Sequence, residues 1–540
     1  MKALSCVKPK STNMFVPQKS FSFGKSTLHY SIAMGFTRRA LKGLLQPSTL
    51  LKIQRAARVV EEKAQAKAPI YGINTGFGPL CTSKISPAQT ELLQRNILLS
   101  HSTGVGRPLE KDLIRLMLVL KIHGLAMGYS GVRTATIHRL LWHLEADVLP
   151  QVPSQGSVGA SGDLAPLAHL GLPLIGKGKV NFRGSVVPTV RALEHLNLSP
   201  LSLGPKEGLA LINGTQFIGA HAVVVLDRFR LCLEQADIIG ALMLDAMQGS
   251  DQPFDASLHR LRPYKGVQHV AEKLSLLLFG SKIREAHKDC QRVQDPYSLR
   301  CMPQVHGASY AAWHHLKQLT HIEINAVTDN PLILENDRVV SGGNFHGQPL
   351  AMALDYAALA AAELGNISDR RVFLALSGRA PKLPKFLTTN AGVNSGFMML
   401  QYTTAALVSE NKSLCYPASA DSIPTSLDQE DHVSMGAISG RKALMIVENL
   451  EKILAIELIV AAQALSYQRP LLSSPPLEKL LSFIRAEIPF IERDTALEEY
   501  MEKAQQWIRQ GAIAGQLNDF FKVHSQKGQL RFRSEFDLCL

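Results

Sequence analysis

The chain of 540 residues is 46% hydrophobic and 19% charged, so it can bury more than one large core, since single cores stop growing near ~250–300 residues. Its formal net charge is +13, of which residues 1–60 contribute +11 because they contain eleven Lys or Arg and no Asp or Glu. The remaining chain therefore lacks the basic body that is typical of a nucleic-acid-binding protein, and we predict no nucleic-acid partner.

Residues 1–30 are basic, serine-rich and free of acidic residues, which predicts a disordered tail. An organelle transit peptide has the same composition, so organelle targeting stays an alternative to the cytoplasmic location that we expect. The segment lacks the apolar stretch of a secretory signal. Seven scattered cysteines without a C-x-x-C pair indicate neither a disulfide framework nor a zinc site.

The pattern of apolar residues and glycines changes near residue 225. Residues 31–225 alternate helical patterns with glycine-rich loops, whereas residues 226–540 carry long segments, such as 349–371 and 439–468, with apolar residues at three- and four-residue spacing. We therefore predict a mainly α protein: a loop-rich N-terminal domain that bears the active site, then a long helical bundle, which other subunits complete.

No uninterrupted apolar run reaches the ~18 residues that a membrane-spanning helix needs. The most apolar stretch, residues 454–465, is broken by Glu457 and is interpreted as a buried core helix. We predict no membrane association.

The segment GSVGASGDLAPLAH, residues 156–169, places three glycines around Ser161. Neither the phosphate-loop pattern nor the dinucleotide fingerprint is present, which leaves an ordinary turn or a chemical role. In a tight turn, the amide of Gly162 can attack the carbonyl carbon of Ala160, because glycine has no Cβ and tolerates strained conformations. Loss of two waters would then give a five-membered ring with an exocyclic methylidene, which is an electrophile.

This segment resembles the signature of the aromatic amino acid ammonia-lyases, whose Ala-Ser-Gly becomes 4-methylidene-imidazol-5-one (MIO). Similar blocks on both sides of it run in family order across roughly residues 35–520: YGINTGFG, EGLALINGTQ, QDPYSLRC, TDNPL, SGGNFHGQP, GVNSGFM and QEDHVSMG. The resemblance implies a fumarase/aspartase-like helical core, MIO made from Ala160, Ser161 and Gly162, and a homotetramer whose active sites are each built from three subunits.

Two positions resemble the histidine-specific members of the family. Ser100-His101 matches the histidine lyases, whereas phenylalanine lyases carry Phe-Leu at this pair of positions and tyrosine lyases carry His-Leu. Glu430 also matches the histidine lyases, whereas phenylalanine and tyrosine lyases carry Gln there. An imidazole offers an N–H donor and a nitrogen acceptor that these side chains can satisfy, whereas phenylalanine would leave them unpaired, at about 1–3 kcal/mol each. The resemblance implies elimination of ammonia from L-histidine to give trans-urocanate, the first step of histidine degradation. A phenylalanine or tyrosine lyase, an aminomutase and a non-catalytic helical scaffold are the alternatives.

The resemblance also implies roles for individual residues. Tyr71 is the base for the β-proton, with Glu430 as a rival base or as the group that orients the imidazole. Attack of the electrophile by the substrate's amine or by its ring stays open. Asn213 and Tyr297 surround MIO, with Gln294 beside Tyr297. Arg300 holds the substrate carboxylate, with help from Asn344. Phe345 and Met398 line the ring pocket, although either could equally be a core residue.

Other histidine-rich segments are given no catalytic role. His169 lies in an apolar segment and is interpreted as structural, and the cluster at residues 313–321 lacks the acidic residues of a metal site. We predict no metal and no nucleotide. Tyr416 stands where many histidine lyases have histidine, so it is assigned no role.

Overall fold

The computed structural model describes residues 19–287 and 293–536, apart from the side chains of 533 and 534. Helices dominate this part of the chain, and the strands form four small sheets of two or three strands each. The predicted mainly α class is confirmed.

The first part of the chain consists of short and medium helices. Their bounds are α1 Tyr30–Thr37, α2 Pro47–Ala64, α3 Thr90–His101, α4 Lys111–Ala126, α5 Thr134–Glu145, α6 Leu164–Gly171, α7 Thr189–His195 and α8 Glu207–Ile212. Short 3-10 turns span Gly78–Thr82, Pro87–Gln89 and Leu172–Ile175.

Small sheets connect these helices and one later loop. β1 Lys19–Ser22 pairs in parallel with β2 Leu41–Leu44. The other pairs are antiparallel: β3 Val105–Pro108 with β5 Pro153–Gln155, β4 Leu149–Pro150 with β6 Lys179–Phe182 and β6 with β7 Ser185–Pro188, and β8 Leu332–Ile333 with β9 Val339–Val340.

Long helices follow and form the bundle. The four longest are α9 Gln216–Ala246, α14 Met302–Glu323, α15 Gln348–Leu376 and α17 Gly436–Ser466. The others are α10 Ala256–Arg260, α11 Lys265–Leu278, α12 Lys282–Glu285, α13 Tyr297–Arg300, α16 Met398–Leu414, α18 Pro475–Arg485, α19 Glu498–Gln510, α20 Ala512–Gly515, α21 Asn518–Gln526 and α22 Arg533–Phe536. Further 3-10 turns span Gln252–Phe254, Glu335–Asp337 and Lys385–Leu387.

Two large hydrophobic cores correspond to the two predicted regions, but they share helix α9. Phe217 and Val223 of this helix pack into the N-terminal core, whereas Ile218 and Val225 pack into the bundle core. The predicted boundary at residue 225 falls inside one continuous 31-residue helix, so an unbroken helix joins the two regions. A helix that is apolar on nearly every side can serve two cores at once.

The predicted tail is too long. Strand β1 begins at Lys19, and Phe21 and Phe23 are buried in the N-terminal core, Phe23 with an exposed fraction of 0%. Residues 19–30 therefore belong to the folded protein. The rest of the predicted tail, residues 1–18, lies outside the described residues.

Among the described residues, one helix, α15, is long and apolar enough to cross a membrane, but 67% of its most apolar window is buried inside the protein. It also carries the buried side chains of Asp369 and Arg371. Arg371 donates to the carboxylate of Glu457 on α17. Helix α15 is thus a core helix, and the interpretation of residues 454–465 as a buried core helix is confirmed.

A buried ionic network joins five helices of the bundle, α9, α11, α14, α15 and, through Arg371, α17. The Asp237 carboxylate on α9 accepts hydrogen bonds from Lys273 Nζ at 2.6 Å and Tyr310 OH at 2.9 Å, and it pairs with His306 Nδ1 at 2.8 Å. The other ring nitrogen of His306 lies 3.3 Å from Arg371. Burial alone would raise the pKa of Asp237, but Lys273 and His306 hold it well below its usual value. A network in which each charge has a partner fixes the relative positions of these helices.

Buried neutral histidines predict that acid destabilises the fold. Burial lowers the pKa of His221, in α9, from 6.5 to about 4. The unfolded chain then takes up a proton that the folded chain does not, so stability falls as pH drops from 6.5 towards 4. We expect His221 to contribute a loss of about 2 kcal/mol in the free energy of unfolding between pH 6.5 and 5. Urea unfolding of His221→Gln should show a correspondingly weaker pH dependence.

The control for this prediction is His138→Gln, since His138 is exposed on α5 and should leave the pH dependence unchanged. The same pH dependence in His221→Gln and in the parent protein would contradict the assignment.

Candidate active site

A cavity of about 840 Å³ lies at the junction of the N-terminal core and the start of the bundle. Seven of the sequence-predicted residues line it: Tyr71, His101, Ala160, Ser161, Asn213, Phe345 and Glu430. They come from loops and helix ends, which is where the glycine-rich segments of the sequence lie. Seven of the predicted site residues thus share one cavity.

Ala160-Ser161-Gly162 forms a turn that only glycine can complete. Gly159 and Gly162 have φ values of +70° and +80°, which residues with a Cβ rarely adopt. Gly162 also pairs with Gly214, so closely that a Cβ on Gly162 would lie 2.2 Å from the Gly214 carbonyl oxygen. The backbone thus fits the requirement that the attacking residue lack a side chain.

Asp163 fixes this turn to the long helix α9. Its Oδ2 accepts the backbone N–H groups of Phe217 and Ile218, both at 3.0 Å, which are unpaired donors of the first helical turn. Ser157 donates to Oδ1 at 3.3 Å. Burial raises the pKa of Asp163 to about 7, although the hydrogen bonds from Ile218, Ser157 and Phe217 oppose that rise.

Lys121 fixes the backbone of the segment that ends at Asn213. Its Nζ, fully buried on α4, donates to the backbone oxygens of Asn213 at 2.5 Å and Ala210 at 3.1 Å. Burial lowers the Lys121 pKa to about 7. Asn213 follows α8 in an extended conformation, and its side-chain amide donates to the Asn330 carbonyl at 2.9 Å. The amide is thereby positioned at the cavity wall.

Glu430 is held by a strained turn. Thr425 and Glu430 pair as an antiparallel bridge, and three of the four residues between them, Ser426, Leu427 and Asp428, have φ values of 52°, 54° and 63°. Such conformations cost non-glycine residues about 1–2 kcal/mol each and concentrate at functional sites. The hydroxyls of Thr425 and Ser426 donate to Glu430 Oε2 at 2.9 and 3.0 Å, and Ser161 donates to Oε1 at 2.7 Å.

His101 ends helix α3 and lines the same cavity. Its Nδ1 lies 3.0 Å from Ser100 Oγ, so Nε2 is the ring nitrogen that is left to bind another group. Burial lowers the His101 pKa, while the Ile97 carbonyl and the charge of Glu430 raise it. The imidazole is therefore favoured in its neutral form.

Tyr71 accepts a long hydrogen bond of 3.4 Å from the Gly78 N–H. Burial raises the Tyr71 pKa above its ordinary value of 10.0, and nearby Cys81 and Glu430 raise it further, against the Gly78 hydrogen bond. The surroundings in a single chain thus favour the neutral phenol.

The remaining predicted residues lie away from the cavity wall. Tyr297 and Arg300 belong to α13, with Tyr297 70% exposed and the Arg300 guanidinium carbon 4.6 Å from its ring centre. Gln294 is exposed just before them, and Met398 begins α16. Asn344 is exposed between cavity residues and donates to the Val327 oxygen at 3.4 Å. A single chain therefore does not bring all the predicted residues together.

Sequence reasoning missed several residues of the site. Asp163 directly follows the Ala-Ser-Gly segment, and Lys121 interrupts the apolar run of α4; a lone charge in such a run signals a buried partner. His346 and His432 also line the cavity, with ring centres 5.6 Å apart. His169 accepts the Gly104 N–H at 3.1 Å, which agrees with its structural interpretation.

The sequence model described as "Aromatic amino acid lyase" matches residues 30–486. The chain belongs to the aromatic amino acid lyase family. The resemblance inferred from the sequence is confirmed, and this lyase shares its overall fold with solved relatives.

A histidine ammonia-lyase of Aromatoleum aromaticum is 47% identical to this lyase over 492 residues, 91% of this chain and 93% of that protein. One from Vibrio cholerae is 45% identical over 85% of this chain and 90% of its own length. Among solved structures, histidine ammonia-lyase from Trypanosoma cruzi has a TM-score of 0.85 at 38% identity and covers 93% of this chain and 95% of its own. Tyrosine aminomutase from Streptomyces globisporus has a TM-score of 0.87 at 34% identity, covering 92% of this chain and 98% of its own.

The close approach at Gly162 predicts a large loss of stability on substitution. Gly162→Ala would place a Cβ against the backbone of Gly214, so we expect the free energy of unfolding to fall by about 3 kcal/mol or more. The matched control is Gly184→Ala, because Gly184 has a similar φ of +85° but no atom within 4 Å of an added Cβ.

Gly184→Ala should cost only about 1 kcal/mol, measured by urea unfolding. Equal losses for both variants would show that backbone conformation, and not the contact with Gly214, decides the choice of glycine.

Proposed function

We propose that this lyase eliminates ammonia from L-histidine to give trans-urocanate. The observation that carries the proposal is that His101 and Glu430, the two side chains suited to an imidazole, line one cavity with Ser161. Relatives named histidine ammonia-lyase at 45–48% identity support the same substrate. The reaction is non-oxidative, and we propose it as the first step of histidine degradation.

The residues present fit the formation of MIO from Ala160, Ser161 and Gly162. The turn excludes a Cβ at Gly162, and the small Ala160 lies at the cavity wall. Once formed, the ring would supply an electrophilic methylidene that makes the substrate's amine a better leaving group. Asn213, whose backbone Lys121 fixes, would donate its amide hydrogen to the oxygen of that ring.

The other residues bind and orient the substrate. We propose that neutral His101 and the Glu430 carboxylate hold the imidazole and that Phe345 packs against it. Tyr71 is proposed as the base for the β-proton; its raised pKa means that added positive charge must stabilise the phenolate. Arg300 supplies a planar guanidinium for the substrate carboxylate, with Asn344 assisting.

Substrate choice is tested by replacing the imidazole partner. His101→Leu removes a ring nitrogen that pairs with the substrate, so we expect kcat/KM for histidine to fall by about 10- to 100-fold, as for the loss of one buried hydrogen bond. Ultraviolet absorbance of urocanate reports the rate, and His138→Leu, at an exposed position, is the matched control.

The same assay decides between histidine and other amino acids. Turnover of phenylalanine or tyrosine with histidine unchanged would assign the site to the other lyases. A β-amino acid product, which has no conjugated double bond and is therefore detected by chromatography, would assign it to the aminomutases; a tyrosine aminomutase is among the structural relatives.

A homotetramer with shared sites accounts for the residues that lie outside the cavity. Helix α15 exposes an apolar stripe at three- and four-residue spacing, Met352, Tyr356 and Leu359, with exposed fractions of 60%, 47% and 47%. A contiguous exposed apolar surface indicates a protein partner. We propose that neighbouring subunits cover this stripe and bring Tyr297, Arg300, Gln294 and Met398 to each cavity, in a cytoplasmic enzyme.

Shared sites predict complementation between two inactive variants. Ser161→Ala removes the electrophile and Arg300→Ala the carboxylate partner, and each homomeric variant should lose most activity. Coexpressed subunits should regain a substantial share, because some cavities then combine an intact Ser161 with an intact Arg300. Purified mixed oligomers assayed for urocanate test this expectation; no recovery would place both residues in one subunit's site.

A further inference from the structure

The two oxygens of the Glu430 carboxylate have different partners. Oε2 is held by the hydroxyls of Thr425 and Ser426, whereas Oε1 accepts the hydrogen bond from Ser161 Oγ at 2.7 Å. The Ser161 hydroxyl is the group that must leave when the proposed ring matures. The contact therefore places the Glu430 carboxylate directly at the group whose loss completes the ring.

We propose that Glu430 acts before catalysis, as the acid–base group that dehydrates Ser161 during ring formation. This inference rests on the proposed function, since only a site of that kind needs the ring. It gives Glu430 two roles in sequence, because loss of the Ser161 hydroxyl also frees Oε1 to face the substrate.

The step balances without any further reactant. After the Gly162 nitrogen has bonded to the Ala160 carbonyl carbon and one water has left, the Glu430 carboxylate removes the α-hydrogen of Ser161. The Cα–Cβ double bond forms as the Cβ–Oγ bond breaks, and the departing oxygen takes the proton from Glu430. One water leaves, nothing is oxidised or reduced, and Glu430 returns to a carboxylate.

The geometry favours Glu430 over the other acids nearby. The α-carbon is two bonds from the Oγ atom that Oε1 already contacts, so a small shift brings the carboxylate to its hydrogen. Asp163 is fully buried, and its oxygens are occupied by Phe217, Ile218 and Ser157. Asp431 lines the same cavity, but among the described residues only Glu430 bonds to the Ser161 hydroxyl.

The strained turn at residues 426–428 serves this role. It brings Ser426 and Thr425 to the same carboxylate oxygen, so that the other oxygen stays directed at Ser161. A carboxylate held on one side loses less conformational freedom when it moves a proton. Thr425 and Ser426 are therefore positioning residues for Glu430.

The test follows the mass of the tryptic peptide that contains Ser161 at intervals after cell-free synthesis. The wild-type peptide should lose two waters, and Asp431→Asn should match it. Glu430→Gln should retain the Ser161 hydroxyl, with full dehydration at least about 100-fold slower, as for removal of a general acid–base group. Ser161→Ala supplies the unmodified reference, and circular dichroism confirms folding of each variant.

Full dehydration of Glu430→Gln at the wild-type rate would overturn the inference alone, and a wild-type peptide at its unmodified mass would overturn the proposed function with it. If Glu430→Gln does not fold, the double variant Thr425→Val/Ser426→Ala replaces it and should also dehydrate more slowly; an unchanged rate would overturn the inference. Its control is Ser422→Ala, since the Ser422 hydroxyl accepts the Val433 N–H in the same loop without contacting Glu430.

Discussion

The site depends on the hydrogen bonds between the Asp163 carboxylate and the first amides of helix α9. They join a turn of small residues to a 31-residue helix that packs into both hydrophobic cores. The pairing of Gly162 with Gly214 adds a second connection to the segment before that helix. A strained conformation persists only when its surroundings determine it fully, and here two cores supply that determination.

Much of the site could be predicted because local sequence patterns carry it. The glycines around Ser161 require special backbone angles, and Tyr71, His101 and Glu430 lie in short motifs whose order follows the family. Asp163 and Lys121 were missed because their roles depend on backbone atoms distant in sequence: Lys121 meets Asn213, 92 residues away. The left-handed residues 426–428 carry no glycine, so the usual sign of such a turn is absent.

The fold followed a similar pattern. Long amphipathic segments predicted the bundle correctly, since their spacing specifies buried faces. The boundary between the two regions could not be read from composition, because composition changes gradually along the chain whereas helix α9 continues while both its faces are buried. Likewise, basic composition suggested a tail to residue 30, but Phe21 and Phe23 are buried in the N-terminal core, and burial of aromatic side chains outweighs a polar average.

The left-handed turn that carries Glu430 has a consequence for protein engineering. Replacing Leu427 by glycine would relieve an unfavourable backbone angle, and a search for thermostable variants would select such a change. The same replacement would loosen the turn that holds the Thr425 and Ser426 hydroxyls against the Glu430 carboxylate. Heat resistance and turnover are therefore expected to trade against each other at this one loop.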